Sequence, residues 1–308
     1  MEFFRETHID FIGKRQPAIA ISIVLILIGV ASLVIKGGPT YGIDFLGGTE
    51  VQVQFAQPVT VGQMRAALTA AGFGQAEIKQ FGTPNDWLIR VQQQEIGTAI
   101  SDGIMNALRQ AFPENPPDKR FVDSVGPKIG QELREAAVWA VLVSLGIILL
   151  YISVRFEFVF AVGAVAALVH DVLITLGIFS LLDLEINLAV VAAFLTLVGY
   201  SLNDTIVVFD RIRENLKTHR REARGIEHLI NLSINQTLSR TILTGGTTLI
   251  VVLALYFLGG EVLHNFAFCL LMGILVGTYS SIFIAAPIVV EWHKKVEQQK
   301  VRRGVKVA

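Results

Sequence analysis

The sequence predicts an α-helical polytopic membrane protein with six transmembrane helices and one α+β, ferredoxin-like extracytoplasmic domain. Three observations lead there. Hydrophobic residues make up 52% of the 308 and charged residues only 17%, against about one quarter charged in a soluble domain, and the mean hydropathy is +0.56. Six apolar runs are each long enough to cross a hydrocarbon core of ~30 Å at ~1.5 Å per residue. Between the first run and the second, residues 36–135 carry the pattern of a folded domain rather than a linker.

The six runs are residues 17–35, 136–154, 158–182, 186–209, 241–258 and 266–290. They divide the chain into an N-terminus (1–16), a first transmembrane helix (17–35) and the inserted domain (36–135). Helices two to six follow within 136–290, with a loop at 210–240, and a basic tail closes the chain at 291–308. The first run follows Lys14 and Arg15 but exceeds a signal-peptide core and lacks a small-x-small cleavage site before Lys36, so it reads as a retained anchor. The short loops at 183–185 and 259–265 hold no Lys or Arg. Lys14, Arg15, Arg155, the group from Arg211 to Arg224 and the tail from Lys294 to Lys306 all fall on the opposite side. The positive-inside rule therefore places both termini in the cytoplasm. Lys plus Arg equals Asp plus Glu at 26 each, so no global charge favours nucleic acid. The single cysteine, Cys269, excludes an intrachain disulfide and a cysteine-cluster metal site, and no metal site is expected.

Within 36–135, Val51, Val53 and Phe55 alternate with Gln52 and Gln54, the period of a half-buried strand. Thr60 offers an N-cap to a helix carrying Met64, Leu68 and Ala71 and stopped by Gly72. Ile78 to Phe81 and Trp87 to Val91 read as a strand pair turned at Thr83, Pro84, Asn85 and Asp86. Ile96, Ile100, Ile104 and Leu108 recur at helical spacing before Pro113, and Phe121, Val122 and Val125 mark a last strand. The order β-α-β-β-α-β is that of a split β-α-β unit. With no His or Cys, and with acids such as Asp86, Asp102 and Asp123 scattered, the domain reads as a docking module, not an enzyme.

Chemistry is expected where ionisable groups fall inside apolar runs, since each is expensive there. The third run holds His170 and Asp171. The fourth holds Asn203 and Asp204, with Tyr200 and Ser201 a turn earlier. Arg240 opens the fifth, followed by Thr244, Thr247 and Thr248. Asp204 lies ~8 Å and Asp171 ~20 Å from the inner ends of their runs at ~1.5 Å per residue. Arg240 can reach the level of Asp204, so the two are expected to form an intramembrane ion pair. A ladder of Arg240, Asp204 and Asp171 with Asn203 would then serve as a proton path lined by Tyr200, Ser201, Thr244, Thr248 and His170. A carboxylate beside a guanidinium stays ionised until the pair separates, and Arg keeps its own proton. Blander readings stand beside these: Arg240 snorkelling to the membrane edge, and His170 with Asp171 as a helix-packing hydrogen bond. Gly273, Gly277 and Ser281 form a small-xxx-small packing seam, with Gly163 and Ala167 alike in the third run. The segment from Arg211 to Ser239, with Ile226, Leu229, Ile230, Leu232 and Ile234 among charges, reads as an amphipathic helix lying on the cytoplasmic face.

Five stretches carry a resemblance: Tyr41 to Gly48 (YGIDFLGG), Ala167 to Ile174 (ALVHDVLI), Gly199 to Glu214 (GYSLNDTIVVFDRIRE), Asn235 to Thr241 (NQTLSRT) and Gly277 to Ser281 (GTYSS). Together they resemble the SecF half of the SecD/SecF family of protein-export membrane proteins. Gly245 and Gly246 stand where the family usually has bulkier residues. The resemblance implies an RND-type half, completed to twelve spans by SecD, in the bacterial cytoplasmic (inner) membrane. It further implies an accessory subunit that uses the proton-motive force to promote preprotein translocation after the ATP-driven step. The implied partners are SecD, the SecYEG channel, membrane lipid and an unfolded preprotein on the periplasmic side, with YajC and YidC as further candidates. Asp204 and Arg240 match the family's proton-pathway positions. No cofactor is expected. The driving ion is H⁺, with Na⁺ equally open to a carboxylate path, and no phosphate-binding G-x-x-x-x-G-K-[ST] motif is present. Three alternatives remain: a self-sufficient proton-coupled exporter, disfavoured by the missing inverted repeat; a non-conducting translocase scaffold, which would leave Asp204 dispensable; and an intramembrane protease using Asp171 and Asp204, disfavoured by their separation.

Overall fold

The computed structural model describes residues 7–81, 83–92, 99–218 and 225–302. In chain order they form α1 (Arg15–Lys36), a short α2 (Ile43–Leu46), β1 (Gly48–Gln54), α3 (Val61–Ala70), β2 (Glu77–Phe81), β3 (Thr83–Val91), α4 (Ala99–Ala111) and β4 (Asp118–Val125). The long helices α5 (Pro127–Arg155), α6 (Phe158–Leu181), α7 (Leu188–Thr218), α8 (Ile226–Leu258) and α9 (Gly260–Ser280) follow. A π-helical turn (Ser281–Ala285) then leads into α10 (Ala286–Arg302). Among the described residues six helical segments are long and apolar enough to span a membrane, α9 through α10 counting as one. Tyr41–Ala140 forms one compact unit and the flanking helical segments another.

The smaller unit is an antiparallel sheet of order β2-β3-β1-β4, the split β-α-β arrangement expected from the sequence. Alternation along β1 and β3 puts Val51, Val53, Trp87, Ile89 and Val91 on one face, against Met64 and Leu68 of α3 and Ile100, Ile104 and Leu108 of α4. Thr60 caps α3 through a capping box: Gln63 N donates to Thr60 Oγ1 at 3.4 Å, and Thr60 N donates to Gln63 Oε1 at 3.0 Å. Gly47 and Gly48, with φ of 74° and 125°, lead into β1, where a Cβ on Gly48 would stand 2.7 Å from the Val91 carbonyl oxygen. No other residue type fits there.

One expectation is corrected here. Thr83, Pro84, Asn85 and Asp86 do not turn the hairpin: β3 already begins at Thr83, which pairs with Phe81, while Gln80 pairs with Trp87. Residues 84–86 are thus an irregularity within β3. Pro84, which has no N–H to lend a ladder, is tolerated at such a place. Residue 82, between β2 and β3, and the predicted helical position Ile96, within 93–98, lie outside the described residues.

In the helical unit, α9 packs on α6, α7 and α8, and α1 packs on α6. Gly29 and Gly177 let α1 and α6 cross backbone to backbone, since a Cβ on Gly29 would lie 2.7 Å from Gly177 Cα. Gly37, at φ 77°, ends α1 with its N–H on the carbonyls of Leu33 and Val34. The expected surface-lying helix between Arg211 and Ser239, and with it a loop over 210–240, is corrected. Residues up to Thr218 continue α7, and those from Ile226 onward belong to α8. No Gly or Pro interrupts 226–244, and Leu229, Ile230, Ile234, Thr237, Thr241 and Gly245 keep one buried face throughout. Asn215 Nδ2 donates to Ser233 Oγ at 2.8 Å and Gln236 Oε1 at 2.8 Å, joining the two extensions.

The chain start is latched onto α8. Asn235 accepts from Ile9 N at 2.9 Å and donates to Ile9 O at 2.8 Å, while Asn231 Oδ1 accepts from Phe11 N at 2.9 Å. Arg15 bridges Glu227 and Glu291 at 2.9 and 3.0 Å.

Cavity formation separates core from surface in the smaller unit. Ile104→Ala should destabilise it by about 2–5 kcal/mol. Phe121→Ala, at a residue 43% exposed, should stay within about 1 kcal/mol. Limited proteolysis of the full chain in detergent across a denaturant series checks both.

Candidate functional site

Two carboxylates are buried among the helices. Asp171 on α6 is fully enclosed and Asp204 on α7 is 9% exposed. A buried carboxylate survives only with donors, and each has them. Asp171 Oδ2 accepts from Ser201 Oγ of α7 at 2.5 Å and from Ser280 Oγ of α9 at 2.8 Å, and its Oδ1 faces His170 Nδ1 at 2.8 Å. Asp204 Oδ1 accepts from Thr241 Oγ1 of α8 at 2.8 Å, and its Oδ2 from Ser281 Oγ at 3.0 Å. Adjacent residues at the junction of α9 and the π turn therefore serve the two acids.

Small residues make this closeness possible. A Cβ on Gly277 would stand 3.0 Å from Ser201 Cβ, and one on Gly273 only 2.4 Å from Leu197 Cδ1. Both glycines thus seat α9 against α7, as the seam predicted. Gly163 of α6 faces the Ala285 carbonyl and Phe209. Ser281, the third member of that seam, is fully buried, and its hydroxyl also bonds Asp204.

The network extends beyond Asp171. His170 Nε2 lies 3.0 Å from Ser22 Oγ of α1, Ser22 Oγ lies 3.0 Å from Tyr279 OH, and Tyr279 OH donates to Ala18 O at 2.6 Å. Ser22, His170 and Asp171 are connected in the order of a hydrolytic triad, but at 3%, 5% and 0% exposure no substrate carbonyl reaches the serine. The arrangement can hold and pass protons; it cannot receive a bulky substrate.

The expected Asp204–Arg240 ion pair is not formed among the described residues. Arg240 is exposed, and the Thr241 hydroxyl occupies the place expected for its guanidinium. The physical reason is helical phase: successive residues diverge by ~100° around a helix, so Thr241 rather than Arg240 bonds Asp204, although the Arg240 charge still acts on that acid. Asn203 and Thr244 are likewise exposed, and Tyr200 and Thr248 are half-buried. Of the predicted site residues, the structure brings together Asp171, His170 and Ser201 as one cluster. Asp204 and Ser281 form another with Thr241. Asn203, Arg240, Thr244 and Thr248 lie outside both. Ser22, Thr241, Tyr279 and Ser280 were missed; the signal present was a hydroxyl inside an otherwise apolar run.

Profiles of two families match. One, described as protein export membrane protein SecD/SecF, C-terminal, covers residues 105–295, and the other, the SecD/SecF GG motif, covers residues 32–59. The chain is 45% identical over 291 residues to a protein translocase subunit SecF of Thermodesulfovibrio yellowstonii, covering 94% of this chain and 96% of that one. It is 48% identical to the subunit of the same name from Magnetococcus marinus, covering 93% of each. Among solved structures, it is similar to SecDF, a translocon-associated membrane protein from Thermus thermophilus, with a TM-score of 0.84 at 40% identity. That match covers 94% of this chain and 39% of the SecDF chain. The chain thus spans about two fifths of the solved SecDF chains it matches.

Removing a buried partner tests the network. Ser22→Ala strands His170 Nε2 and should lower stability by about 1–3 kcal/mol. Ser153→Ala, at an exposed hydroxyl bonding only its own helix, should change it by no more than about 0.5 kcal/mol. Unfolding of the detergent-solubilised chain reads both.

Proposed function

The chain belongs to the SecD/SecF family of protein-export membrane proteins, and we propose that it is the SecF-type accessory subunit of a bacterial Sec translocase, driven by the proton-motive force. The observation that carries this reading is the buried Asp204, held by hydroxyls from two neighbouring helices, with Arg240 one residue before its Thr241 partner. An ionised Asp204 accepts both hydroxyls. A protonated one must give up an acceptor site, and Arg240 is the fixed cation that returns it to the charged form. One charge crossing 100 mV is worth about 2.3 kcal/mol, similar to the ~1–3 kcal/mol of a buried hydrogen bond made or lost. A single proton is therefore enough to change which helix Asp204 holds.

The partner reading rests on the uncovered polar flank. Arg240, Asn203 and Thr244 are exposed on helices apolar enough to span a membrane. Arg240 opens the fifth run at its inner end, and a polar flank of this kind left against lipid is unfavourable, which supports a second helical half, SecD, lying over it. SecYEG, with YajC and YidC at greater distance, completes the assembly, and the Tyr41–Ala140 unit faces the emerging preprotein. The distribution of Lys and Arg supports the cytoplasmic membrane with both termini inside. The role is non-enzymatic, no cofactor is needed, and Na⁺ is the alternative driving ion.

Asp204→Asn keeps the shape and removes the titratable charge. At equal membrane abundance and equal association with SecD, its preprotein export in inverted vesicles should fall to the level seen without a proton gradient, leaving ATP-driven export intact. Full gradient stimulation in this variant would reject the reading in favour of a scaffold.

A further inference from the structure

Asp171 and Asp204 draw on two kinds of hydroxyl. Ser201 and Thr241 each have one acceptor among the described residues, the carboxylate itself. Ser280 and Ser281 each have two. Ser280 Oγ stands 2.8 Å from Asp171 Oδ2 and 3.1 Å from the Gly277 carbonyl oxygen. Ser281 Oγ stands 3.0 Å from Asp204 Oδ2 and 3.0 Å from the Thr278 carbonyl oxygen. A hydroxyl has one proton to donate, so each serine serves one acceptor at a time and has the second already in place.

That difference matters when an acid takes up a proton. The new carboxyl O–H needs an acceptor, and a hydroxyl that pointed at the same oxygen must turn away. Ser281 can turn its O–H to the Thr278 carbonyl and present its own oxygen to the Asp204 proton, and Ser280 can do the same between Gly277 and Asp171. Neither change leaves a buried donor stranded, and no proton leaves either serine. The two serines are consecutive, at the point where α9 gives way to the π turn Ser281–Ala285, and π turns are often found at functional sites.

We propose that Ser280 and Ser281 are paired positioning residues that switch acceptors with protonation, and that they couple Asp171, as a second protonatable site, to Asp204. The proposal rests on the reading of Asp204 as a proton-coupled group. The other groups facing the two acids are His170 from α6, which continues to Ser22 and Tyr279, Ser201 from α7, and Thr241 with the Arg240 charge from α8.

The test is infrared spectroscopy of the full chain with SecD in proteoliposomes, following the protonated-carboxyl C=O band against pH. Asp171→Asn and Asp204→Asn assign the bands. In the wild type, Asp204→Asn should move the midpoint of the Asp171 band by about 1 pH unit. In a Ser280→Ala/Ser281→Ala background the same substitution should leave it unmoved, while Ser280→Thr/Ser281→Thr, which keeps both hydroxyls, should restore the shift. An Asp171 band that ignores Asp204→Asn in the wild type, or a shift that survives loss of both hydroxyls, overturns the proposal. The bands are read without export. A failed gradient test on Asp204→Asn with intact spectral coupling would therefore count against the functional reading and not against the serine switch.

Discussion

The burial of the Asp171 carboxylate is the constraint around which the helical unit is organised. Moving a carboxylate out of water carries an effective penalty of several kcal/mol even after relaxation, and only charge-assisted hydrogen bonds of good geometry offset it. Those bonds come from three helices: His170 on its own, Ser201 on α7 and Ser280 on α9. For Ser201 and Ser280 to meet at one oxygen, α7 and α9 must approach closely, and Gly273 and Gly277 allow it. For His170 to be oriented, α1 must bring Ser22 alongside, and the Gly29–Gly177 crossing allows that. The glycines are spaced to suit the acid as much as the packing.

Asp204 stands one layer away from this centre and is held more loosely, by two hydroxyls instead of two hydroxyls and an imidazole. It is also the more exposed of the two, at 9% against 0%. A tightly bound inner group and a slightly more accessible outer one, each bonded by one of two consecutive serines, make a graded arrangement.

Much of this was legible in the sequence. Apolar run length located the spans, since hydrocarbon thickness leaves little choice, and strict alternation at Val51, Val53 and Phe55 fixed which face of β1 is inside. Asp171 and Asp204 stood out because a charge in an apolar run has few bland explanations. Partner choice was not legible. Axial position put Arg240 level with Asp204, but pairing depends on rotation about the helix axis, and one residue of phase gave the contact to Thr241. Ser22 and Ser280 were hidden for the same reason: a short hydroxyl in an apolar run reads as a spacer until the neighbouring helix is in place. Thr83 to Asp86 misled because turn-forming residues also suit an irregular strand. The surface-lying helix expected between Arg211 and Ser239 failed because polarity was taken for helix termination, although no Gly or Pro interrupts 210–218 or 226–240.

The latch between the chain start and α8 bears on how the protein is made. Asn235 and Asn231 hold the backbone of residues 9–12 across separations of about 220 positions. A ribosome adding roughly 5–20 residues per second needs on the order of ten to forty-five seconds to synthesise that interval. Throughout it the first helix is in the bilayer while the segment before it has nothing to hold. Residues 9–12 are therefore made some 220 positions before their partners on α8 and are fixed only once those partners exist.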